Sequence, residues 1–485
     1  MERADPGSFR DPASHVVLGD ETVTRLLDER GLADWHALQS SELFAAGVSD
    51  GRLIATAEVQ APAEAAGALE HPRLPFISYP FEWTFSMLRD AARLQLDLIE
   101  EALAEGLILK DATPYNIQFP AGRPQFIDIG SFERYRSGEP WLGYRQFCRQ
   151  FLYPLMLRAW TGVPFQPWLR GEPEGLTAAQ MWRMLPARRR VNRSALLHVG
   201  LQARAEARLQ GEAVRGSLEQ AGFSSDLILN NVRKLRSLID SFTWDRDGAW
   251  TGYHECDHVG RDREAKAGFL RSAIAEVKPG VVLDLGANDA HFSHVAVEEG
   301  AGAVAVDGDE AVLDRVYESL APGTPISVVL SDLANPSPAQ GWNGSERPGL
   351  FERVQADLVV AYGLIHHLIH TASIPPRQVV EWLAGFGAPV VVEFVAPDDP
   401  MVQRLTANKR PEELHPDRDR DSFERLVASS FDTVATLDLE GGTRRVYHLR
   451  GRVDRSPGST RSPRGTEVSG HASALSARPL RGHAK

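Results

Sequence analysis

The chain has 485 residues, a net charge of −12 and two cysteines. At roughly 100–200 residues per domain this length predicts two to four compact units, and a composition of 43% hydrophobic and 24% charged residues argues against global disorder. The acidic balance makes nucleic acid an unfavoured partner, and Cys148 and Cys256 are too few for a disulfide framework or a Cys-based structural zinc site. They read as two reduced, buried thiols of a cytoplasmic protein. Met1 to Ser14 has no apolar core of a signal peptide, and the greasiest stretch, Phe147 to Trp160, is broken by Arg149, Gln150 and Arg158, so no membrane partner is expected.

The first unit runs from Ser14 to Gly175. Val16-Val17-Leu18, Thr22-Val23-Thr24-Arg25 and Leu53-Ile54-Ala55 suit a small β-rich lobe, Phe76 to Tyr79 reads as an apolar strand ended by Pro80, and Ser86 to Glu105 is an amphipathic helix stopped by Gly106. A loop, Lys110-Asp111-Ala112-Thr113-Pro114-Tyr115-Asn116, then leads through a turn at Gly122 to Phe126-Ile127-Asp128. This order of hinge strand, long helix, Asp-x4-Asn loop and Asp-ended strand resembles the protein-kinase-like and aminoglycoside-phosphotransferase-like folds. The resemblance implies that Asp111 contacts an acceptor hydroxyl while Asn116 and Asp128 hold magnesium. No Gly-rich phosphate loop precedes it and no lysine occurs before Lys110, so the unit reads as a degenerate kinase-like α+β domain. A nucleotide-binding, a phosphotransferase and a scaffolding role all stay open.

From 176 to 240 apolar residues recur at helical spacing (Leu196, Leu197, Leu201, then Leu227, Leu235, Leu238) around a basic run, Arg188-Arg189-Arg190, which reads as a helical connector with a solvated basic face.

From 241 to 451 strands alternate with helices, the pattern of an α/β unit with a parallel sheet. Val281 to Leu285 is a buried first strand, Ala303 to Val306 a second, Ile326 to Leu330 a third, Asp357 to Tyr362 a fourth and Pro389 to Val395 a fifth. Thr433 to Leu439 and Arg444 to Leu449 form a final hairpin. Ligands of such sheets sit beyond the carboxyl ends of the strands. The residues there are Asp284 and Gly286, Asp307, Asp332, Tyr362 to His367, and Glu393 with Asp398: a row of acids without Lys or Arg. The loop Gly286-Ala287-Asn288-Asp289-Ala290-His291 lacks both phosphate-binding glycine patterns, and its acids repel phosphate. A cationic nucleoside suits the row better, with Asp307 spaced to accept two ribose hydroxyls.

These residues resemble the class I S-adenosylmethionine-dependent methyltransferases, with Asp284-x-Gly286 as first motif, Asp307 as ribose acid, Asp332-Leu333 on the adenine side and Asp357 to Leu368 as the fourth-strand motif. The resemblance implies a Rossmann-like class I methyltransferase sheet, S-adenosylmethionine as cofactor held by Asp284, Gly286, Asn288, Asp307, Gly308, Asp332, Leu333 and Tyr362, and methyl transfer by in-line displacement to a small-molecule acceptor. It departs at Asn288 and Ala290, where the family has glycines. Candidate bases are His366, His367, His370 and Glu393; a structural role for the histidines stays open. Trp244, Trp250, Tyr253, Lys266 and Phe269 read either as lining of the site or as packing. His254-Glu255-Cys256-Asp257-His258 is too closely spaced for a metal site, and no metal is expected. The two halves together resemble bacterial proteins related to host-specificity nodulation proteins. From Arg452 to Lys485 seven basic residues face two acids in a Ser-, Pro- and Gly-rich segment, a disordered basic tail.

Overall fold

Short alternating runs at the start of the chain form an antiparallel sheet of β1 (Arg3–Ala4), β2 (Ser14–Leu18), β3 (Thr22–Leu27), β4 (Ala57–Val59) and β5 (Gly67–Pro72), in the order β1-β2-β3-β5-β4. In this computed structural model residues 3–8, 14–208, 224–246 and 259–452 are described. The expected tail beyond Arg452, together with Trp250, Tyr253 and the His254 to His258 cluster with Cys256, lies outside them. Met1–Gly451 forms one compact unit. Between β3 and β4 the chain folds as α1 (Glu29–Gln39) and α2 (Glu42–Ser49), whose first turns are capped by the Asp28 and Ser41 side chains. Leu53 joins only through an isolated bridge to Phe126, not as the expected strand.

The expected strand at Phe76 to Tyr79 is likewise not a strand. Pro75 and Pro80 flank it, and its backbone is satisfied by side chains. Gln118 accepts from Ser78 N at 2.9 Å and donates to Ser78 O at 3.0 Å, while Arg353 donates to Ile77 O. Proline cannot complete a ladder, and buried amides that lose the ladder must find other partners. The long helix α3 (Phe85–Ala104) follows, capped by Thr84 and ended by Gly106 at φ +73°. Two small ladders complete this half, β6 (Leu107–Leu109) with β9 (Phe132–Arg134) and β7 (Ile117–Gln118) with β8 (Gln125–Phe126).

Helices α4 (Tyr153–Thr161), α5 (Ala178–Met184) and α6 (Ser225–Asp240) carry the chain onward. The connector is not a tether. α6 lies along α3, tied by Arg93–Asp240 at 2.7 Å, Arg233–Glu100 at 2.8 Å and Arg236–Asp97 at 3.3 Å.

After α7 (Val259–Val277) come β10 (Val281–Leu285), α8 (His291–Glu298), β11 (Gly302–Asp307), α9 (Glu310–Ser319), β12 (Ile326–Leu330), β13 (Leu358–Ala361), α10 (Ile365–His370), α11 (Pro376–Gly385), β14 (Val390–Val395), α12 (Pro400–Thr406), α13 (Arg420–Ser430), β15 (Phe431–Asp438) and β16 (Arg444–Gly451). The sheet order is β12-β11-β10-β13-β14-β16-β15, with β10 to β14 mutually parallel and β16 antiparallel to both neighbours. This is an α/β sheet of the class I methyltransferase fold. Its strands are nearly continuous Val, Leu and Ala runs because both faces are covered. One face shares a core with the first half of the chain through Ala303, Ala305, Leu313, Val316 and Tyr317, and the other is covered by the C-terminal helices.

Ion pairs and hydrogen bonds reinforce this shared core along α9. Fully buried Asp314 accepts from Ser86 N at 2.9 Å, Ser86 Oγ at 3.0 Å and Trp244 Nε1 at 3.2 Å, and pairs with Arg246 at 3.1 Å. Glu310 pairs with Arg158 at 2.7 Å, and Tyr317 donates to Asp90 at 3.1 Å. Trp244 is thus packing, sandwiched under Arg158 at 4.3 Å. Removing one partner of a buried ionic node costs about 3 kcal/mol, because the others stay desolvated. Asp314→Ala is therefore expected to lower unfolding stability by about 3 kcal/mol, and Ser86→Ala by about 1 kcal/mol, in urea melts.

Candidate functional site

The strand order reverses direction at β10, the place where sheets of this kind bind ligands beyond the carboxyl ends of the strands. Asp284, on β10, points into the protein at 2% exposure and accepts from Ser293 Oγ, at 2.8 Å, and from the Ser293 backbone. Burial pushes its pKa up to about 7, Ser293 pulls against this, and Asp307 adds repulsion. The following loop keeps three left-handed residues, Gly286 at φ +74°, Asn288 at +48° and Ala290 at +57°. The backbone therefore has the shape that glycines give, although only the first is a glycine. Gly286 N and Ala287 N both donate to Val306 O, at 2.8 and 3.0 Å, which presses the loop against β11. Asn288 Oδ1 and His291 Nε2 are buried there without hydrogen-bond partners.

Asp307 ends β11. Its Oδ2 accepts from Asn288 N and its Oδ1 from Asp309 N, both at 2.9 Å. Burial raises its pKa, and these backbone bonds oppose the rise. A carboxylate has about four acceptor sites, so each oxygen retains capacity for a hydroxyl. A Cβ built at Gly308 would meet nothing closer than Ser331 O at 3.8 Å, so packing does not require a glycine at that exposed position. Asp332 is exposed and accepts from Ala334 N at 2.9 Å, while Leu333 is half-buried against the apolar core.

Tyr362 follows β13, buried against Phe292 at 4.3 Å, and donates to Lys266 O at 3.0 Å. Glu393, fully buried on β14, receives Lys266 Nζ and Gly363 N on Oε2, each at 2.8 Å, and Arg444 on Oε1 at 3.4 Å. Arg444 in turn pairs with Asp399 at 2.8 Å. Glu393 thus joins α7, β13, β14 and β16, a fixing role rather than the open position of a base. His366 and His367 start α10 with rings 4.3 Å apart. Both ring nitrogens of buried His366 lack hydrogen-bond partners, and burial beside His367 and Arg444 holds its pKa well below the usual imidazole range. Half-buried His367 is lowered by burial and by Arg444, and His370 to about 4 by burial beside Arg418 and Lys409. Arg444, Ser293 and His291 neighbour these residues and were not among the candidates drawn from the sequence. His291 stood in the loop already singled out and Arg444 opened the last strand, whereas Ser293 left no signal.

In the first half Asp128 pairs with Arg25 at 2.6 Å, Asn116 Nδ2 is buried without a hydrogen-bond partner, and the Asp111 carbonyl accepts from Gln95 at 3.1 Å. The acid that the kinase resemblance gives to magnesium is met by a guanidinium. Among the described residues no group of three His, Cys, Asp or Glu is arranged to hold a metal ion. Cys148 is buried in the core.

Two measurements follow. Asp284 titrates near 3.8 when unfolded and about 7 when folded, so the folded state holds the extra proton between these values. Stability therefore falls as pH rises across that window and levels off above it. Asp284→Asn is expected to flatten this slope in melts at pH 4 to 8. Ala290→Gly, by relieving a left-handed alanine, is expected to raise stability by about 1 kcal/mol.

No protein-family profile matches the chain. Nodulation protein NoeA of Rhizobium meliloti (strain 1021) is 31% identical over 454 residues, covering 91% of this chain and 94% of that protein. Among solved structures, N-methyltransferase NodS of Bradyrhizobium japonicum WM9 is 12% identical, over 40% of this chain and 97% of NodS, with a TM-score of 0.30. Magnesium protoporphyrin IX methyltransferase of Synechocystis PCC 6803 is 16% identical, over 39% of this chain and 84% of that enzyme, with a TM-score of 0.27. Among the described residues no helix is long and apolar enough to cross a membrane. Identity of this extent over nearly the whole length of both proteins makes the chain a member of the NoeA family.

Proposed function

We propose that the chain is a methyltransferase that uses S-adenosylmethionine and methylates a small-molecule acceptor at the crevice beyond β10, β11 and β13. One electrostatic observation carries this reading. Glu393, Asp399 and Asp314 each have a cationic partner, whereas among the described residues no Lys, Arg or His lies within ion-pair distance of Asp284 or Asp307. Burial has raised both of these acids. A ligand that carries its own positive charge and no phosphate relieves them, and S-adenosylmethionine has a sulfonium and an ammonium.

The residues fit such a group. Asp307 keeps free acceptor capacity for ribose hydroxyls, Gly308 leaves open space that its own packing does not need, and Asn288 Oδ1 and His291 Nε2 await partners. Gly286 would let the loop turn close to the cofactor, Asp284 would offset its positive charge from beneath the loop, and Asp332, Leu333 and Tyr362 would complete the binding set. When bound, S-adenosylmethionine supplies a methyl group already activated for displacement. The chain's own task is to hold the acceptor atom in line and to exclude water. His366 and His367 are neutral at pH 7, so either imidazole can take a proton from the acceptor. Glu393 fixes Lys266, Gly363 and Arg444 around them.

Calorimetry with S-adenosylmethionine and S-adenosylhomocysteine is expected to give micromolar binding that Asp307→Ala abolishes. Gly308→Ala is expected to weaken binding while leaving the melting temperature unchanged, which separates a contact from a folding defect. Below pH 7, where Asp284 must lose a proton to meet a cation, affinity for S-adenosylmethionine is expected to fall by up to about tenfold per pH unit, and Asp284→Asn to remove the dependence. No binding heat from the folded protein would reject the reading.

A further inference from the structure

Between Gly175 and Ala205 the chain has six arginines and no Asp or Glu, although its net charge is −12. Two of the six are used internally. Arg189 lies over Trp160 at 5.3 Å, and Arg190 lies over Trp182 at 5.8 Å and donates to Leu185 O and Arg183 O. Arg183, Arg188, Arg193 and Arg204 are exposed, and no described carboxylate pairs with Arg183, Arg188 or Arg193.

The same segment exposes aliphatic side chains, Val191 at 76%, Leu196 at 45%, Leu197 at 47% and Leu201 at 52%. Arg193, Leu196, Leu197, Leu201 and Arg204 follow one another at helical spacing along Arg193–Arg208, while Ala195, His198 and Val199 on the other side are buried. That buried side is pinned to the body, since the Tyr144 hydroxyl lies 2.7 Å from His198 Nδ1 and Tyr153 donates to His198 O at 2.6 Å. A rigidly anchored helix thus faces outward with leucines between arginines.

We propose that this face docks on an anionic lipid surface, lying in the interface without crossing it. Leucine and valine suit the acyl boundary, and arginine, with its apolar stem, suits the phosphate level above it. The alternatives fit less well. A nucleic acid is gripped by stacking aromatics among the basic residues, and the exposed apolar residues of this face are all aliphatic. A two-fold pairing with a second copy would set the arginines against each other. The charge is local and survives in an acidic protein because the acids lie on other segments.

The test is flotation of the full chain with vesicles of phosphatidylcholine alone and of phosphatidylcholine with about a third phosphatidylglycerol. Binding only to the anionic vesicles, weakening as salt rises, is expected. Arg188→Gln and Arg193→Gln should each weaken it about fivefold. Leu197→Asp should abolish it with an unchanged melting temperature and unchanged affinity for S-adenosylhomocysteine. Absence of binding at low salt, or binding indifferent to all three substitutions, overturns the proposal. So does retention by single-stranded RNA without vesicle binding, or a concentration-dependent dimer on light scattering that Leu197→Asp dissolves.

Discussion

The carboxylate of Asp314 is the constraint on which the architecture turns. It has no exposure to solvent, and it is solvated instead by the first turn of α3, through Ser86 N and Oγ, by Trp244 and by Arg246. A charge buried this deeply is tolerable only when its acceptor sites are filled. The two segments that fill them come from the first half and from the chain beyond α6, so the acid on α9 ties both to the sheet. A carboxylate at a helix N-terminus also meets the positive end of the helix dipole, so α3 gains a second cap beside Thr84. Helix α9 follows directly on Asp307 and Asp309, and is held from outside by Arg158 and Asp90 as well. The first half therefore forms a wall of the sheet that carries the crevice.

The acids of the second half divide by what compensates them. Glu393 and Asp399 share Arg444, and Glu393 also holds Lys266, so that node is neutral and rigid. Asp284 and Asp307 are compensated only by hydroxyl and amide donors, and both are raised by burial. The histidines of α10 are lowered chiefly by burial, and the neighbouring cationic side chains add to the shift. Acids without a cationic partner and lowered imidazoles thus follow the paired strands β10 and β13 of one sheet. This separation of charge is what a cationic donor and a neutral proton acceptor require of one crevice.

All seven strands of the parallel sheet and its hairpin were legible in the sequence, because doubly covered strands are unbroken apolar runs whose ends carry the acids. Phe76 to Tyr79 misled for the same reason, being apolar and bounded by prolines. What decides its state is Gln118 and Arg353, and the second stands 276 residues away from the carbonyl it meets. The Lys266–Glu393 pair spans 127 residues and left no local pattern. The kinase resemblance gave Asp128 to magnesium, and the Arg25 guanidinium that stands 2.6 Å from it comes from β3, about a hundred residues earlier in the chain. Local physics wrote the strands and their ends, and long-range pairing wrote which acids keep their charge to themselves.

The loop after β10 is where backbone strain and acid charge meet. Asn288 and Ala290 hold left-handed backbone without being glycine, which costs roughly 1–2 kcal/mol for an ordinary side chain and less for asparagine. Something must hold the loop in that shape. The bonds from Gly286 N and Ala287 N to Val306 O and from Asn288 N to Asp307 do so, and the last is strongest when Asp307 is ionised. Loop shape and the charge of Asp307 are therefore one variable. A cation in the crevice that favours the ionised acid also tightens the loop around itself, so the missing glycines shift the source of loop geometry from backbone freedom to the electrostatics of the site.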